Sequence, residues 1–227
     1  MRAAVGPIRL RDRRDAGRRL AGVLSRFAGR ADVVVLALPR GGVPVGFEIA
    51  RALGAPLDVL VVRKLGAPGQ EELAIGAIAS GGIEVLDEDL VRALGVTPAR
   101  LRDIETRETA ELERRDRAYR GDRPPARLEG RTVIVVDDGV ATGSTLFAAI
   151  GAVRQQRPAA VVAAVPVGPA GTIARLREVA DDVACLGTPA PFGAVGEFYS
   201  DFGQTSDEEV RRLLSESARV PEASGIR

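Results

Sequence analysis

Histidine and tryptophan are missing from the 227-residue sequence, which contains a single lysine, Lys64, and a single cysteine, Cys185. Without histidine, the chain cannot build a Ser-His-Asp or Cys-His nucleophile, an imidazole acid or base, or a His-rich zinc or iron site. One cysteine excludes an intramolecular disulfide and a thiolate-rich metal cluster. Any Schiff base, or the lysine of a phosphate-binding loop, would have to be Lys64. Carboxylates, hydroxyls, backbone amides, arginines and Lys64 are left for catalysis.

Positive and negative charges balance, with 32 Lys and Arg against 31 Asp and Glu and a net charge of +1. A nucleic-acid partner is therefore not expected, because a nucleic-acid-binding domain normally carries a basic excess. A local basic patch stays open as an alternative, formed by Arg11, Arg13, Arg14, Arg18 and Arg19. Residues 1–19 are too rich in arginine for a signal peptide, and no apolar run approaches ~18 residues. We expect a cytoplasmic protein without a membrane partner, in which Cys185 is a buried, reduced thiol.

Strand and helix patterns alternate along the chain. Predominantly apolar runs, which are typical of parallel strands covered on both faces, occupy residues 33–38, 57–62, 132–136, 160–165 and 183–186. Apolar residues at helical spacing lie between and around these runs, and Ser206 with Glu209 forms a capping box for the last helix. The alternation predicts a doubly wound α/β fold with a mainly parallel five-stranded sheet, in one domain over residues 1–227. Functional groups are then expected outside the carboxyl ends of the strands.

Two segments interrupt this alternation. Residues 74–79 and 83–86 read as short strands around a Ser-Gly-Gly turn, which suggests a hairpin at the edge of the sheet. Residues 87–120 are strongly charged, with few apolar anchors and several opposite charges at i, i+4 spacing. This pattern predicts a helical insertion, partly solvated, whose charges carry no chemistry.

The strongest candidate site is residues 133–145, VIVVDDGVATGST. A β-branched strand ends at two carboxylates, Asp137 and Asp138, and a loop with two glycines and three hydroxyls then opens a helix. Gly139 and Gly143 let the backbone approach a ligand closely, and the amides and dipole at the start of the helix favour an anion. A carboxylate is a strong acceptor for a vicinal diol. A ribose 5-phosphate therefore satisfies both halves of the segment.

The segment resembles the signature of the type I phosphoribosyltransferases, which bind 5-phosphoribosyl 1-diphosphate (PRPP) through a hydrophobic strand, two acids and a Thr/Ser/Gly phosphate loop. All 13 residues fit that pattern, although an ordinary N-capped βα turn is the structural alternative. The aspartyl-phosphate motif of haloacid-dehalogenase-like phosphatases is disfavoured, because it needs two aspartates separated by one residue and adjacent residues on a strand point to opposite sides. The resemblance implies the following PRPP-binding residues: Asp137, Asp138, Gly139, Val140, Ala141, Thr142, Gly143, Ser144 and Thr145.

Cations and glycines follow two other predicted strands. The Pro39-Arg40-Gly41-Gly42 turn looks like the family's pyrophosphate loop, in which backbone amides and a basic side chain meet the leaving group. Arg63 and Lys64, at the predicted end of the next strand, could neutralise a diphosphate or could simply extend into water. The resemblance further implies a mobile loop that closes on the substrate, for which residues 66–72 are the candidate.

The sequence is less informative about the residues that would bind the base. Four of the eight aromatic residues fall within residues 192–202, a segment that resembles the C-terminal part of purine-type members. In that comparison Phe192 stacks on the base, Tyr199 belongs to the same acceptor site and Asp201 is the nearby acid, whereas a purely structural role is to seal the sheet edge. Ala141 stands where hypoxanthine/guanine-specific members place an aspartate, which argues against a 6-oxopurine.

The resemblance thus implies an enzyme that transfers the ribose 5-phosphate of PRPP to a nitrogenous base or other nitrogen acceptor and releases pyrophosphate, with a role in nucleotide metabolism or nucleoside salvage. Asp138 and Lys64 are the predicted catalytic residues. Mg²⁺ would enter with PRPP, and no dedicated metal ligands are predicted in the protein. The partners expected are PRPP and a base. The sequence leaves open whether the protein forms a homodimer. The alternative is a catalytically silent regulatory module of the same fold that binds PRPP or a nucleotide.

Overall fold

Eight strands, seven α-helices and two short 3-10 helices are found in the part of the chain that the computed structural model describes, residues 8–121 and 123–218. The strands are β1 (Val33–Ala37), β2 (Leu57–Val59), β3 (Val62–Ala67), β4 (Gln70–Ala79), β5 (Ile83–Leu86), β6 (Thr132–Val136), β7 (Ala160–Val167) and β8 (Asp182–Gly187). The helices are α1 (Arg13–Val23), α2 (Gly42–Leu53), α3 (Glu88–Ala93), α4 (Pro98–Arg120), α5 (Ser144–Gln155), α6 (Ala170–Val179) and α7 (Asp207–Ala218). Predictions that concern residues 1–7 and 219–227 lie outside the described residues.

Five of the strands form one parallel sheet in the order β2-β1-β6-β7-β8. All residues of β1 (VVVLA) and β6 (TVIVV) are buried, as their nearly continuous apolar sequences require when both faces are covered. Alternate residues of β1 pack with α1, α2 and α7 on one face and with α5 and α6 on the other. The predicted five-stranded parallel α/β fold is therefore confirmed.

The predicted strand over residues 57–62 is wrong as a single element. The parallel strand β2 ends at Val59, and after Leu60 and Val61 the chain enters β3 of a separate antiparallel sheet, ordered β3-β4-β5. Leu60 and Val61 are both buried, so nothing polar marks the change of sheet in the sequence. Arg63 and Lys64 accordingly lie inside β3 instead of following a strand end.

The predicted hairpin is confirmed, but its strands belong to this second sheet and not to the edge of the main one. The candidate mobile loop, residues 66–72, largely forms the ends of β3 and β4 around a tight turn at Pro68-Gly69, where Gly69 has φ of 77°.

The charged insertion is helical, as predicted, and comprises α3 and α4. Its anchors Ile104, Leu112 and Tyr119 are buried in the core shared with α1, α2 and α7. One of its carboxylates, Glu108, is also buried and pairs with Arg63 of β3. The insertion is thus packed against the second sheet along much of its length.

The segments near the two termini meet beside the main sheet. Leu10 forms a parallel bridge with Tyr199, and the Asp201 amide donates to the Arg11 carbonyl at 2.8 Å. The predicted cap of α7 is present, since the Glu209 amide donates to Ser206 Oγ at 3.1 Å. Cys185 is only partly buried, which corrects the expected buried thiol. Among the described helices none is long and apolar enough to cross a membrane.

Candidate functional site

Two loops meet at the carboxyl edge of the main sheet. Strands β1 and β6 are neighbours with Ala37 opposite Val136, so the turn at residues 38–42 and the acids after β6 emerge side by side. A Cβ on Gly42 would lie 2.7 Å from the Val136 carbonyl oxygen, and a Cβ on Gly41 would overlap the Asp138 carboxylate. Glycine is therefore the residue that lets these loops touch. The Pro39–Arg40 peptide bond in the first loop is cis.

The second loop, residues 139–145, leads into α5 through a left-handed glycine. Gly143 has φ of 80° and precedes the first helical residue, Ser144, whose amide lies 3.4 Å from Thr142 Oγ1. The two hydroxyls of Thr142 and Ser144 are 3.0 Å apart. The amides in the first turn of a helix have no intrahelical acceptor, so the loop offers amide and hydroxyl donors on an exposed surface. This is a cradle suited to a phosphate group.

The two acids have different surroundings. Asp137 Oδ1 accepts the Asp138 amide at 2.9 Å. Burial, together with the neighbouring charge of Asp138, raises the pKa of Asp137 well above its ordinary value. The Asp138 carboxylate points to α1, where Arg13 Nε donates to Oδ2 at 2.7 Å. Asp137 therefore keeps its proton to higher pH than an ordinary aspartate, while Asp138 is held in an ion pair.

Arg13 is a residue that the sequence did not single out for the site. Its side chain is 13% exposed, and its guanidinium carbon lies 4.0 Å from the centre of the Phe202 ring. It also donates through Nη1 to the Gly203 carbonyl at 2.5 Å. In the sequence Arg13 is one of several arginines at the start of α1, and it is 125 residues away from Asp138. No local pattern could have shown this contact.

The aromatic segment supports the acids from the other side. Tyr199 is buried, and its hydroxyl donates to the Asp138 carbonyl at 2.6 Å. Burial raises the pKa of this phenol, so it remains a donor at physiological pH. Phe192 is partly exposed and packs on Phe198 with ring centres 5.0 Å apart. Asp201 is exposed and accepts the Gly203 amide at 3.0 Å. Of the three predicted acceptor-binding residues, Tyr199 is thus engaged in holding Asp138.

The predicted diphosphate cations do not all meet. Arg40 is beside the glycines of its own loop and lies 3.6 Å from Asp207 of α7. Arg63 donates through Nε to Glu108 Oε2 of α4 at 2.8 Å. Lys64 points to the opposite face of β3, as strand alternation requires, and is exposed in a cavity of about 660 Å³ that Ser144 also lines. The structure therefore groups Arg40 with Asp207 and the phosphate-loop residue Thr145, and Lys64 with the phosphate-loop residue Ser144.

No cluster of three or more His, Cys, Asp or Glu side chains that could hold a metal ion is found among residues 8–121 and 123–218. A magnesium ion would therefore take most of its ligands from a phosphorylated ligand and water. The hydroxyl oxygens of Thr142, Ser144 and Thr145 are hard donors that suit such a cation.

The chain resembles known proteins in sequence and in fold. The family model described as "Phosphoribosyl transferase domain" matches residues 10–197. A curated Mycobacterium tuberculosis protein named "Putative phosphoribosyl transferase", present in two strains, is 51% identical over 208 residues, which cover 92% of this chain and 47% of the relative. The chain thus spans about half the length of the curated relatives it matches. The crystal structure of the protein TT1426 from Thermus thermophilus is similar with a TM-score of 0.84 and 45% identity, covering 92% of this chain and 99% of that chain.

Proposed function

Because the chain belongs to the phosphoribosyl transferase family, we propose that it transfers the ribose 5-phosphate of PRPP to a nitrogen acceptor and releases pyrophosphate. The observation that carries this proposal is the contact between Gly41 and Asp138. It joins a loop suited to a diphosphate with the acids and the phosphate cradle that follow β6. A ligand with a diphosphate, a diol and a second phosphate would span these features in order.

In this proposal each part of PRPP has its own donors or acceptors. The amides and hydroxyls of residues 139–145 bind the 5-phosphate, and Asp137 and Asp138 bind the ribose hydroxyls. The carboxyl group of Asp137 has two oxygen atoms, of which Oδ1 accepts the Asp138 amide, so the other is left for one hydroxyl of a diol. Arg40 and the amides of Gly41 and Gly42 hold the diphosphate. Arg63 would contribute only after leaving Glu108, so we assign it the lesser share.

The proposed reaction breaks the bond between the anomeric carbon and the diphosphate oxygen, and the electron pair leaves with pyrophosphate. A nitrogen lone pair of the acceptor forms the new bond to that carbon, and the acceptor gives up a proton to the departing pyrophosphate or to water. Stabilising the leaving group and excluding water supply the catalysis, so the lack of histidine is no obstacle. Magnesium, when bound with PRPP, would neutralise charge on the departing diphosphate. Asp138, beside the ribose, and Lys64, as a cation for the diphosphate, are the proposed catalytic residues.

The acceptor site is proposed on the aromatic segment. Phe192 is partly exposed and offers a ring face to a planar base, and the exposed Asp201 offers an acceptor for a base N–H. Tyr199 acts on the site indirectly, because its hydroxyl donates a hydrogen bond to the Asp138 carbonyl. Ala141 removes the carboxylate that a 6-oxopurine-specific member would use, so we propose an acceptor other than a 6-oxopurine. We also propose that the protein forms a homodimer in the cytoplasm and that residues 1–227 make up a single domain.

Calorimetric titration with PRPP and Mg²⁺ tests the ligand, and pyrophosphate release with a panel of purines, pyrimidines and other nitrogen acceptors tests the reaction. PRPP is expected to bind, and one acceptor class is expected to support release. Lack of PRPP binding would remove the whole proposal. The panel identifies the acceptor as well.

One observation favours the silent regulatory module as a second candidate: Arg13 already occupies Asp138 Oδ2. A ribose hydroxyl would have to share that carboxylate with the guanidinium. Binding of PRPP without pyrophosphate release for any acceptor would support this second candidate over the enzyme.

A further inference from the structure

A cavity of about 260 Å³ lies between the turn at residues 38–40 and helix α4. Three arginines line it: Arg40 from the turn, and Arg114 and Arg115 from α4. The charges of α4 were expected to carry no chemistry, and Arg114 and Arg115 now face the loop proposed to bind a diphosphate. The cavity also includes Thr145, from the end of the phosphate cradle.

Two carboxylates, one from α4 and one from α7, form ion pairs with these arginines. Glu111 accepts from Arg114 Nε at 2.7 Å and from Arg115 Nε at 2.6 Å. These two contacts lower the pKa of Glu111 to about 2, so it is ionised at neutral pH. On the other side, Asp207 Oδ1 lies 3.6 Å from Arg40 Nη1. Three guanidinium groups are therefore balanced by two carboxylates.

Asp207 is held loosely enough to be replaced. Its side chain is 51% exposed, and its second partner is the Tyr119 hydroxyl, which donates to the same Oδ1 at 3.0 Å. Exposed ion pairs at such distances contribute little to stability, so an incoming anion with more charge can displace them. The displacement would leave Arg40 and the Tyr119 hydroxyl as donors to the anion.

The size and donors of the cavity point to a small polyanion. Pockets for drug-sized ligands are usually larger, about 300–1,000 Å³, so this volume fits a phosphate or diphosphate group better than a whole nucleotide. Guanidinium groups match phosphate oxygens in a bidentate way, and several around one cavity favour more than one phosphate.

We propose that this cavity is a diphosphate site in which Arg40, Arg114 and Arg115 supply the cations, and in which the ligand takes the place of Asp207. Where the ligand is PRPP itself, this inference rests on the function proposed above and assigns α4 a part in holding the leaving group. Where it is a separate diphosphate-bearing molecule, the same residues form an effector site. Both ligands carry a diphosphate group, but added pyrophosphate should compete with PRPP only where the cavity holds the diphosphate of PRPP.

Calorimetric titration with inorganic pyrophosphate in the presence of Mg²⁺ tests the site directly. The double variant Arg114→Gln/Arg115→Gln should bind pyrophosphate at least about tenfold more weakly, because charge-assisted hydrogen bonds are lost. Arg117→Gln is the matched control, since Arg117 is an arginine of the same helix that lines a different cavity. Its affinity should equal that of the wild type.

Asp207→Asn gives a result of opposite sign. The amide keeps the shape of the side chain but no longer competes for Arg40, so pyrophosphate should bind several-fold more tightly. Thermal denaturation of each variant shows that it is folded. An Arg114/Arg115 double variant that binds like the wild type, an Asp207→Asn variant that binds more weakly, or a wild type that does not bind pyrophosphate would each overturn the site.

Titration of pyrophosphate into protein saturated with PRPP separates the two sources. Competition identifies the cavity with the diphosphate end of PRPP, whereas simultaneous binding identifies an effector site. If pyrophosphate binding depends on Arg114 and Arg115 while PRPP does not bind at all, the proposed transferase function fails and the site stands. If PRPP binds and the double variant changes neither affinity, the site fails and the transferase function stands.

Discussion

Arg13 Nε lies 2.7 Å from Asp138 Oδ2, and this ion pair ties the first helix of the fold to the acids after β6. Both side chains are largely buried, at 13% and 16% exposed. Tyr199 holds the carbonyl of Asp138 from the opposite side. The acid proposed to touch the ribose is thus fixed by residues from both ends of the described chain.

Breaking this pair should cost stability. Arg13→Gln leaves a largely buried carboxylate without its cation, so the free energy of unfolding should fall by about 3 kcal/mol at pH 7. Arg19→Gln is the control on the same helix, because the Arg19–Asp15 pair is far more exposed and should contribute less than about 1 kcal/mol. Urea denaturation of both variants measures the difference. Equal losses would mean that the Arg13 pair is no stronger than a surface pair.

Gly41 should not tolerate a side chain. A methyl group there would overlap the Asp138 carboxylate, so Gly41→Ala must separate the two loops. We expect PRPP affinity to fall by at least about tenfold, because the diphosphate and diol sites would no longer be in register. Gly22→Ala, in α1, is the matched control: its Cβ meets nothing within 4 Å, and it should leave affinity unchanged. Calorimetry with PRPP distinguishes the two, and an unaffected Gly41→Ala variant would show that contact of the loops is dispensable.

The raised pKa of Asp137 predicts a pH dependence of stability. The folded protein holds the Asp137 proton at pH values where the unfolded chain has lost it, so the native state binds more protons than the unfolded state. The contribution is therefore favourable below the ordinary aspartate value of about 3.9 and is lost as the pH rises above it. Asp137→Asn should remove this decline and stabilise the protein at neutral pH.

Asp181 provides a contrast of opposite sign. Hydrogen bonds from Arg154 and from the Val161 amide lower the pKa of Asp181, so its contribution is present above the ordinary value and is lost as the pH falls. Urea unfolding of the wild type, Asp137→Asn and Asp181→Asn between about pH 3 and 8 should show the two slopes. An Asp137→Asn variant with the slope of the wild type would contradict the assignment.

The sequence was sufficient for the main sheet because its chemistry is local. The β-branched run of β6 needs burial on both faces, and the two acids and the glycine-rich turn after it mark its carboxyl end. The same logic located the turn at residues 38–42 after β1. This reasoning failed at Leu60 and Val61, which link β2 of the main sheet to β3 of the second sheet. Both residues are buried, so the apolar run continues through the boundary between the two sheets.

The contacts that complete the site could not be read from patterns, because they depend on tertiary packing. Arg13 looks like any arginine on the polar side of an amphipathic helix until α1 is placed beside β6. Arg114 and Arg115 lie in a helix with charges all round, and only the docking of α4 through Ile104 and Leu112 turns them towards the loop after β1.

The two acids should recognise the sugar more than the phosphate. Asp137→Asn with Asp138→Asn removes the carboxylate acceptors for the ribose hydroxyls but leaves the amides of residues 139–145 in place. PRPP should bind at least about tenfold more weakly, while inorganic phosphate should bind nearly as before. Competitive titration with both ligands makes the comparison. An equal loss for both ligands would remove the diol role from these acids.

Lys64 and Arg63 are neighbours on β3 with opposite expected effects. Lys64 is exposed beside Ser144, so Lys64→Ala should slow turnover at least about tenfold and change stability by less than about 0.5 kcal/mol. Arg63 is held by the buried Glu108, so Glu108→Gln should destabilise the protein by about 2–3 kcal/mol, because a buried ion pair is broken. Its effect on the turnover of the folded fraction should be smaller than that of Lys64→Ala. Pyrophosphate release and urea denaturation are measured on both variants. Normal turnover in Lys64→Ala would remove this lysine from the site. Full stability in Glu108→Gln would show that the second sheet does not need its ion pair with α4.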